Sequence, residues 1–238
     1  MAEANQMTEH NGASQRQMIE HFAKTIDPAL NRRSGKVFYS GRAAFSRPTD
    51  LYLIGLNPGG DPTTQAAETI GSETARVLTQ LPDRWSAYSD ESWQNRKPGT
   101  HKMQPRVLHM LRQLERDPRE TPASNLIFVR SRRETNLAGG VDELVDQCWP
   151  FHEAVIARLK PKVVVCFGQT TGGQLNRKLK ANARPIAQFV EKNNRGWATT
   201  AYRAEGQIVI VATHPSIADW TNPEADPTPL IQEMLQAN

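Results

Sequence analysis

Cysteine is scarce in this sequence: two in 238 residues, Cys148 and Cys166. Two distant cysteines cannot build a disulfide framework, a four-cysteine metal site or an all-cysteine iron–sulfur site. A reduced, cytoplasmic protein is expected. Long hydrophobic runs are missing too. The longest, such as Val163–Phe167 and Ile208–Ala212, fall far short of the ~20 residues a membrane helix needs, so no membrane partner is expected. The opening MAEANQMTEH is polar and mixed in charge, unlike a secretory signal. His101, His109 and His152 show no metal-ligand spacing, and no Gly-Lys-Ser/Thr follows the glycine-rich turn as in a P-loop. The expectation is no metal and no cofactor. Internal repeats and low-complexity linkers are absent as well.

Basic residues are absent from 212–238, which hold four of the 25 acidic side chains and none of the 29 Lys and Arg. The net charge of +4 therefore becomes +8 over the preceding part. Residues 154–203 carry ten Lys/Arg against one acid, Glu191. Such a body attracts a polyanion, with DNA the leading candidate, or it is a solvated basic face. Hydrophobic residues make up 38% of the chain, enough for a core, and the length suits one domain.

The pattern separates residues 1–45 as an N-terminal extension from a domain over 46–238. Residues 1–13 read as a disordered lead, 14–25 as a helix with Met18, Ile19, Phe22 and Ala23 on one face, and 27–50 as irregular. Four apolar runs then read as strands buried on both faces: 51–56, 125–130, 162–168 and 207–213. Helical stretches fall at about 72–81, 104–116, 141–159, 170–180 and 228–236. Strands alternating with helices predict an α/β fold, a three-layer sandwich with a central four-stranded parallel sheet flanked by helices.

Ligands of such sheets bind outside the carboxyl ends of the strands. The first strand runs into GLNPGG (Gly55–Gly60), the third into FGQTTGG and the fourth into THPS (Thr213–Ser216). The second carries Asn125 at its start and Arg130, Arg132 and Arg133 at its end. Pro58, Gly59 and Gly60 force a turn that lets a ligand approach the backbone, with the Asn57 amide beside it. Asn-Pro-Gly is also ordinary turn chemistry. A neutral His214 at a strand end can donate a hydrogen bond to a developing anion, or be satisfied by its own turn.

Together, GLNPG after the first strand and HPS after the last resemble the two signature motifs of the uracil-DNA glycosylase superfamily. The resemblance covers roughly residues 50–236. The Asn-Pro-Gly form is similar to the mismatch-specific, thymine-DNA and single-strand-selective branches. SNLIFVR (Ser124–Arg130) resembles a stretch of the iron–sulfur branch, whose four cysteines are missing here.

The resemblance implies that Asn57 positions the attacking water and that His214 stabilises the departing base anion. It implies that Asn125 reads the base edge, and that Gly55, Leu56 and Ile70 line the base. Ile70 falls where many members carry a stacking aromatic ring. Trp85, Tyr88 and Trp93, in the long connection after Gly60, offer a substitute ring, or they pack that connection onto the core. Gly59, Gly60, Arg130, Arg132, Arg133 and Ser216 are implied to contact DNA. Ile217 or Trp220 would supply the wedge that fills the vacated stack, with core packing the other role for Trp220.

The expected function is a monofunctional DNA glycosylase acting as a monomer on a flipped damaged or modified pyrimidine. A mismatched or deaminated base and a hypermodified cytosine of phage DNA, removed in antiviral defence, stand as alternative substrates. A catalytically weak member that binds DNA and reads a base without excising it is the second reading.

Overall fold

Three runs rich in branched aliphatic residues form the centre of the sheet: β1 (Leu51–Gly55), β3 (Val163–Phe167) and β6 (Gln207–Ala212), every residue of them buried. Their side chains alternate between two cores. Tyr52, Ile54, Val164, Cys166, Val209 and Val211 face one side. Leu51, Leu53, Val163, Val165, Ile208 and Ile210 face the other. Burial on both faces explains why these strands read as unbroken apolar runs. Each such side chain contributes about 1.5–3 kcal/mol relative to exposure.

The structure is a computed structural model and describes residues 16–137 and 140–237. Helices cover both faces. On the first lie α1 (16–23), α2 (Ile70–Thr79), α4 (Val141–Leu159) and α5 (Gln169–Lys178). On the second lie α3 (Gln104–Gln113) and α6 (Thr228–Gln236). The expected lead over 1–13 and the first residues of the expected first helix lie outside the described residues.

The sheet itself differs from the expected one. It has six strands in the order β2-β1-β3-β6-β5-β4, adding β2 (Ala123–Asn125), β4 (Ala187–Val190) and β5 (Ala198–Ala204). The four strands from β2 to β6 are parallel, while β5 and β4 extend the edge antiparallel. Burial alternates along β4 and most of β5, so neither forms a continuous apolar run. The turn Glu205–Gly206, with Gly206 at φ 74°, folds β5 onto β6.

The second strand is also displaced from 125–130. Only Ala123–Asn125 joins the ladder, pairing Gly55 with Asn125. Leu126–Val129 are buried but leave the sheet. The amides of Leu126 and Ile127 still bond Gly55 and Leu56, whereas Phe128 and Arg130 bond the 34–36 segment. Asn125 thus stands at the end of its strand, level with the end of β1. The chain before β1, set apart by the sequence as an extension, belongs to the same core. Ile19, Phe22, Leu30, Phe38 and Phe45 are fully buried in it.

Candidate active site

The parallel strands β2, β1, β3 and β6 end along one edge, and a cleft of about 1240 Å³ opens there. Its wall includes Gly55 at the end of β1 with Leu56, Asn57, Gly59 and Gly60 beyond it, Asn125 at the end of β2, Phe167 at the end of β3 with Gly168 beyond it, and Thr213, His214, Ser216 and Ile217 after β6. The two sequence motifs therefore meet in one cavity.

His214 is oriented by its own turn. Its Nδ1 accepts the Ser216 amide N–H at 3.0 Å, with the Ser216 hydroxyl 2.7 Å away. An Nδ1 acting as acceptor leaves the proton on Nε2. Burial lowers the His214 pKa and favours the neutral ring. Arg106 holds the turn from behind, donating to the Pro215 carbonyl at 2.6 Å. Ser216, expected to contact DNA, thus has its hydroxyl against the imidazole.

Asn57 is fixed through its nitrogen. Nδ2 donates to Ser131 Oγ at 2.8 Å and to the carbonyls of Pro58 and Val129 at 3.1 and 3.2 Å. Oδ1 remains as the acceptor available to a ligand. Ser131 in turn donates to the Arg133 carbonyl and pairs in parallel with Gly59.

The inner wall centres on Asn125. Only 5% of the residue is exposed, and its Nδ2, which lies near the Tyr39 hydroxyl, makes no hydrogen bond of good geometry among the described residues. An orphaned buried amide N–H is costly, about 1–3 kcal/mol, and a ligand carbonyl would satisfy it. A Cβ at position 55 would overlap Asn125 Oδ1, so glycine there makes room for the amide. Tyr39 lies beside it; burial pushes its phenol up to about 12, and the Asn125 contact offsets only part of that. Tyr39, Tyr88 and Trp93 form a mutual aromatic cluster with centroids 5.8–6.5 Å apart, and all three face the cleft.

Three sequence expectations are corrected. Ile70 is fully buried and does not line the cleft. It opens α2, whose first amides are tied to the Arg33 and Asn31 carbonyls, and its side chain packs into the core. Trp220 is 0% exposed and packs edge-on against Phe167 at 5.5 Å, so it is a core residue and no wedge. Arg130 is buried and committed internally, to Ser34 Oγ at 3.1 Å, the Gly59 carbonyl at 3.0 Å and Glu68 at 2.7 Å. It braces the GLNPGG loop and offers little to a phosphate.

Other expected contacts lie on the rim. Ile217 is 57% exposed. Arg132 is exposed and paired with Asp61, and Arg133 is exposed with no acidic partner among the described residues. Beside Ile217 stands Trp197, an exposed aromatic with the Arg195 guanidinium 4.4 Å above its ring. Arg195 also donates to the Ile217 carbonyl at 2.7 Å. Sequence reasoning missed Trp197, Tyr39 and Ser131. Trp197 precedes β5, an antiparallel strand that the apolar pattern does not reveal, and Tyr39 lies in a segment that reads as irregular.

Comparison with protein-family models and with curated proteins gives no match. Among the described residues, no group of three or more His, Cys, Asp or Glu is placed to hold a metal ion, and no helix is long and apolar enough to cross a membrane.

Proposed function

We propose that this chain is a monofunctional DNA N-glycosylase that removes a flipped, modified pyrimidine. One observation carries the reading. A neutral imidazole with its proton on Nε2, a carboxamide anchored through its nitrogen and a buried amide without a partner share one cleft at the strand ends.

Each group has a task in hydrolysis. Asn125 Nδ2 donates to a carbonyl of the base edge and holds the base out of the stack. The bond from C1′ of the sugar to N1 breaks, and its electron pair leaves with the base. His214 Nε2–H faces the oxygen on which that charge collects. A preorganised donor of this kind contributes about 3–4 kcal/mol in the transition state. Asn57 Oδ1 accepts a hydrogen bond from the water that adds to C1′; the water's proton is released and the sugar keeps the hydroxyl. An amide orients water without removing its proton, so the site depends on a good leaving group. Lys36 lines the cleft but is held by Glu91 at 2.6 Å and is not presented as a free amine for Schiff-base chemistry.

The test is single-turnover excision on oligonucleotides bearing uracil, mismatched thymine or modified cytosines, followed by cleavage at abasic sites. The expected result is an abasic site in place of at least one of these bases. His214→Ala should slow its formation by about 10²-fold, with DNA binding within a few-fold of wild type. Wild-type rates in both His214→Ala and Asn57→Ala would reject the assignment.

A further inference from the structure

Beyond Tyr39 the cleft continues into a chamber built from charge. Lys36 Nζ lies 2.8 and 2.6 Å from the two Glu91 carboxylate oxygens, and 5.1 Å from the ring centres of both Tyr39 and Trp85. Arg76 Nη1 lies 3.1 Å from Glu73 Oε2 and 3.4 Å from Glu91 Oε1. Trp93 Nε1 donates to Glu91 at 3.1 Å. Lys36, Glu73, Arg76, Glu91 and Trp93 all line the cleft. The Lys36 side chain is only 7% exposed, and those of Glu73 and Glu91 are mostly buried.

An ion cluster at this depth is a poor stabilising device. Apolar residues of similar volume often serve a fold as well or better. A pocket for a bare pyrimidine needs apolar and aromatic contact with a few polar groups at the base edge, where Asn125 already stands, and has no use for four further charges. The cluster is also incomplete. Glu91 and Lys36 satisfy each other, but Glu73 Oε1 and Arg76 Nη2 take no protein partner among the described residues. Both atoms reach the open cleft rather than lying sealed in the core, and the Arg76 side chain is 33% exposed, so an acceptor and a donor are open to a ligand on the same cleft wall as Asn125.

Building on the glycosylase reading, on which it depends, we infer that this chamber recognises a polyhydroxylated, sugar-like substituent carried by the pyrimidine, with Glu73 and Arg76 contacting its hydroxyls. A hydroxyl is both donor and acceptor, so one hydroxyl or a vicinal pair satisfies the carboxylate and the guanidinium together. The aromatic faces of Trp93 and Tyr39 suit the C–H face of a sugar ring. Two acids and two bases cancel, so neither an anionic nor a cationic substituent gains from the chamber. A methyl group would cover the charges without bonding them. Lys36 and Glu91 act through Glu73 and Arg76 and are positioning residues.

The experiment measures kcat/KM for excision from three otherwise identical oligonucleotides, bearing uracil, 5-hydroxymethylcytosine or its glucosylated form. Wild type should prefer the glucosylated base. In Glu73→Gln and Arg76→Met, the ratio of glucosylated to hydroxymethylated excision should fall at least tenfold. Both positions lie on α2, and thermal midpoints report whether each variant is folded. A folded variant that lowers all three rates by one factor overturns the inference, as does a wild type that excises uracil and ignores the glucosylated base. In both cases the glycosylase reading stands. Excision of no base by the wild type removes that reading and the inference with it.

Discussion

At the scale of single residues, hydrogen-bond direction does most to define the site. Ser216 N–H sets the His214 tautomer, and Ser131 sets which end of the Asn57 amide is free. His152 shows the same logic in the core. It is fully buried, with Nδ1 3.1 Å from the Tyr52 hydroxyl and Nε2 3.2 Å from the Leu126 carbonyl. Burial lowers its pKa to about 4, outweighing its backbone hydrogen bonds. Between pH 6.5 and about 4 the unfolded chain binds a proton that the folded chain refuses, so stability falls as pH drops through that window. The loss is on the order of 3 kcal/mol. Urea unfolding at pH 7 and pH 4.5 should show a smaller pH-dependent loss in His152→Asn than in wild type. Equal losses would show that His152 does not titrate in this way.

At the scale of elements, legibility followed burial. Strands covered on both faces announce themselves by continuous apolar runs, and α4 was readable over its full length from its periodicity. One-sided β4 and β5 lack such a run. Leu126–Val129 mislead in the opposite sense, because burial beside the 34–36 segment needs the same residues as burial in a ladder. That Gly55–Gly60 and Thr213–Ser216 meet at one cleft was legible because both follow buried parallel strands. Lys36, Tyr39 and Glu91 were not, since only tertiary folding brings the 36–39 segment and the loop at Glu91 to one wall.

The segment after His214 illustrates the difference between an exposed and a buried apolar side chain. Trp220→Ala empties a filled core site and should cost about 3–5 kcal/mol of stability. Ile217→Ala should stay within about 0.5 kcal/mol yet weaken excision from duplex DNA, where a wedge is needed to offset unstacking. Denaturant melts beside excision rates on duplex and single strand check both. A stable Trp220→Ala with a specific loss of duplex activity would restore Trp220 as the wedge.

At the scale of the whole molecule, the basic surplus is less one-sided than the linear sequence suggests. Arg177 and Lys178 on α5 face Asp142 and Asp146 of α4, and Arg195 pairs with Glu191. A phosphate would have to compete with these acids. Arg133 stands at the cleft mouth beside Arg132. Reversing Arg132 and Arg133 to Glu should weaken DNA affinity and flatten its salt dependence, by about 0.9 in slope for each phosphate no longer neutralised. Reversing Arg177 and Lys178 should change the slope less. The opposite ranking would move the DNA path away from the cleft mouth and onto α5.

The reaction proposed for the cleft at the strand ends is hydrolysis of a base–sugar bond. Mass analysis of both products from a single-turnover reaction tests it most directly. The expected products are an intact free pyrimidine and an otherwise unbroken strand carrying an abasic site with a hydroxyl at C1′. Both products should form at least about 10²-fold more slowly in His214→Ala. A released nucleotide, a cut backbone with the base still attached, or equal product from His214→Ala would contradict it.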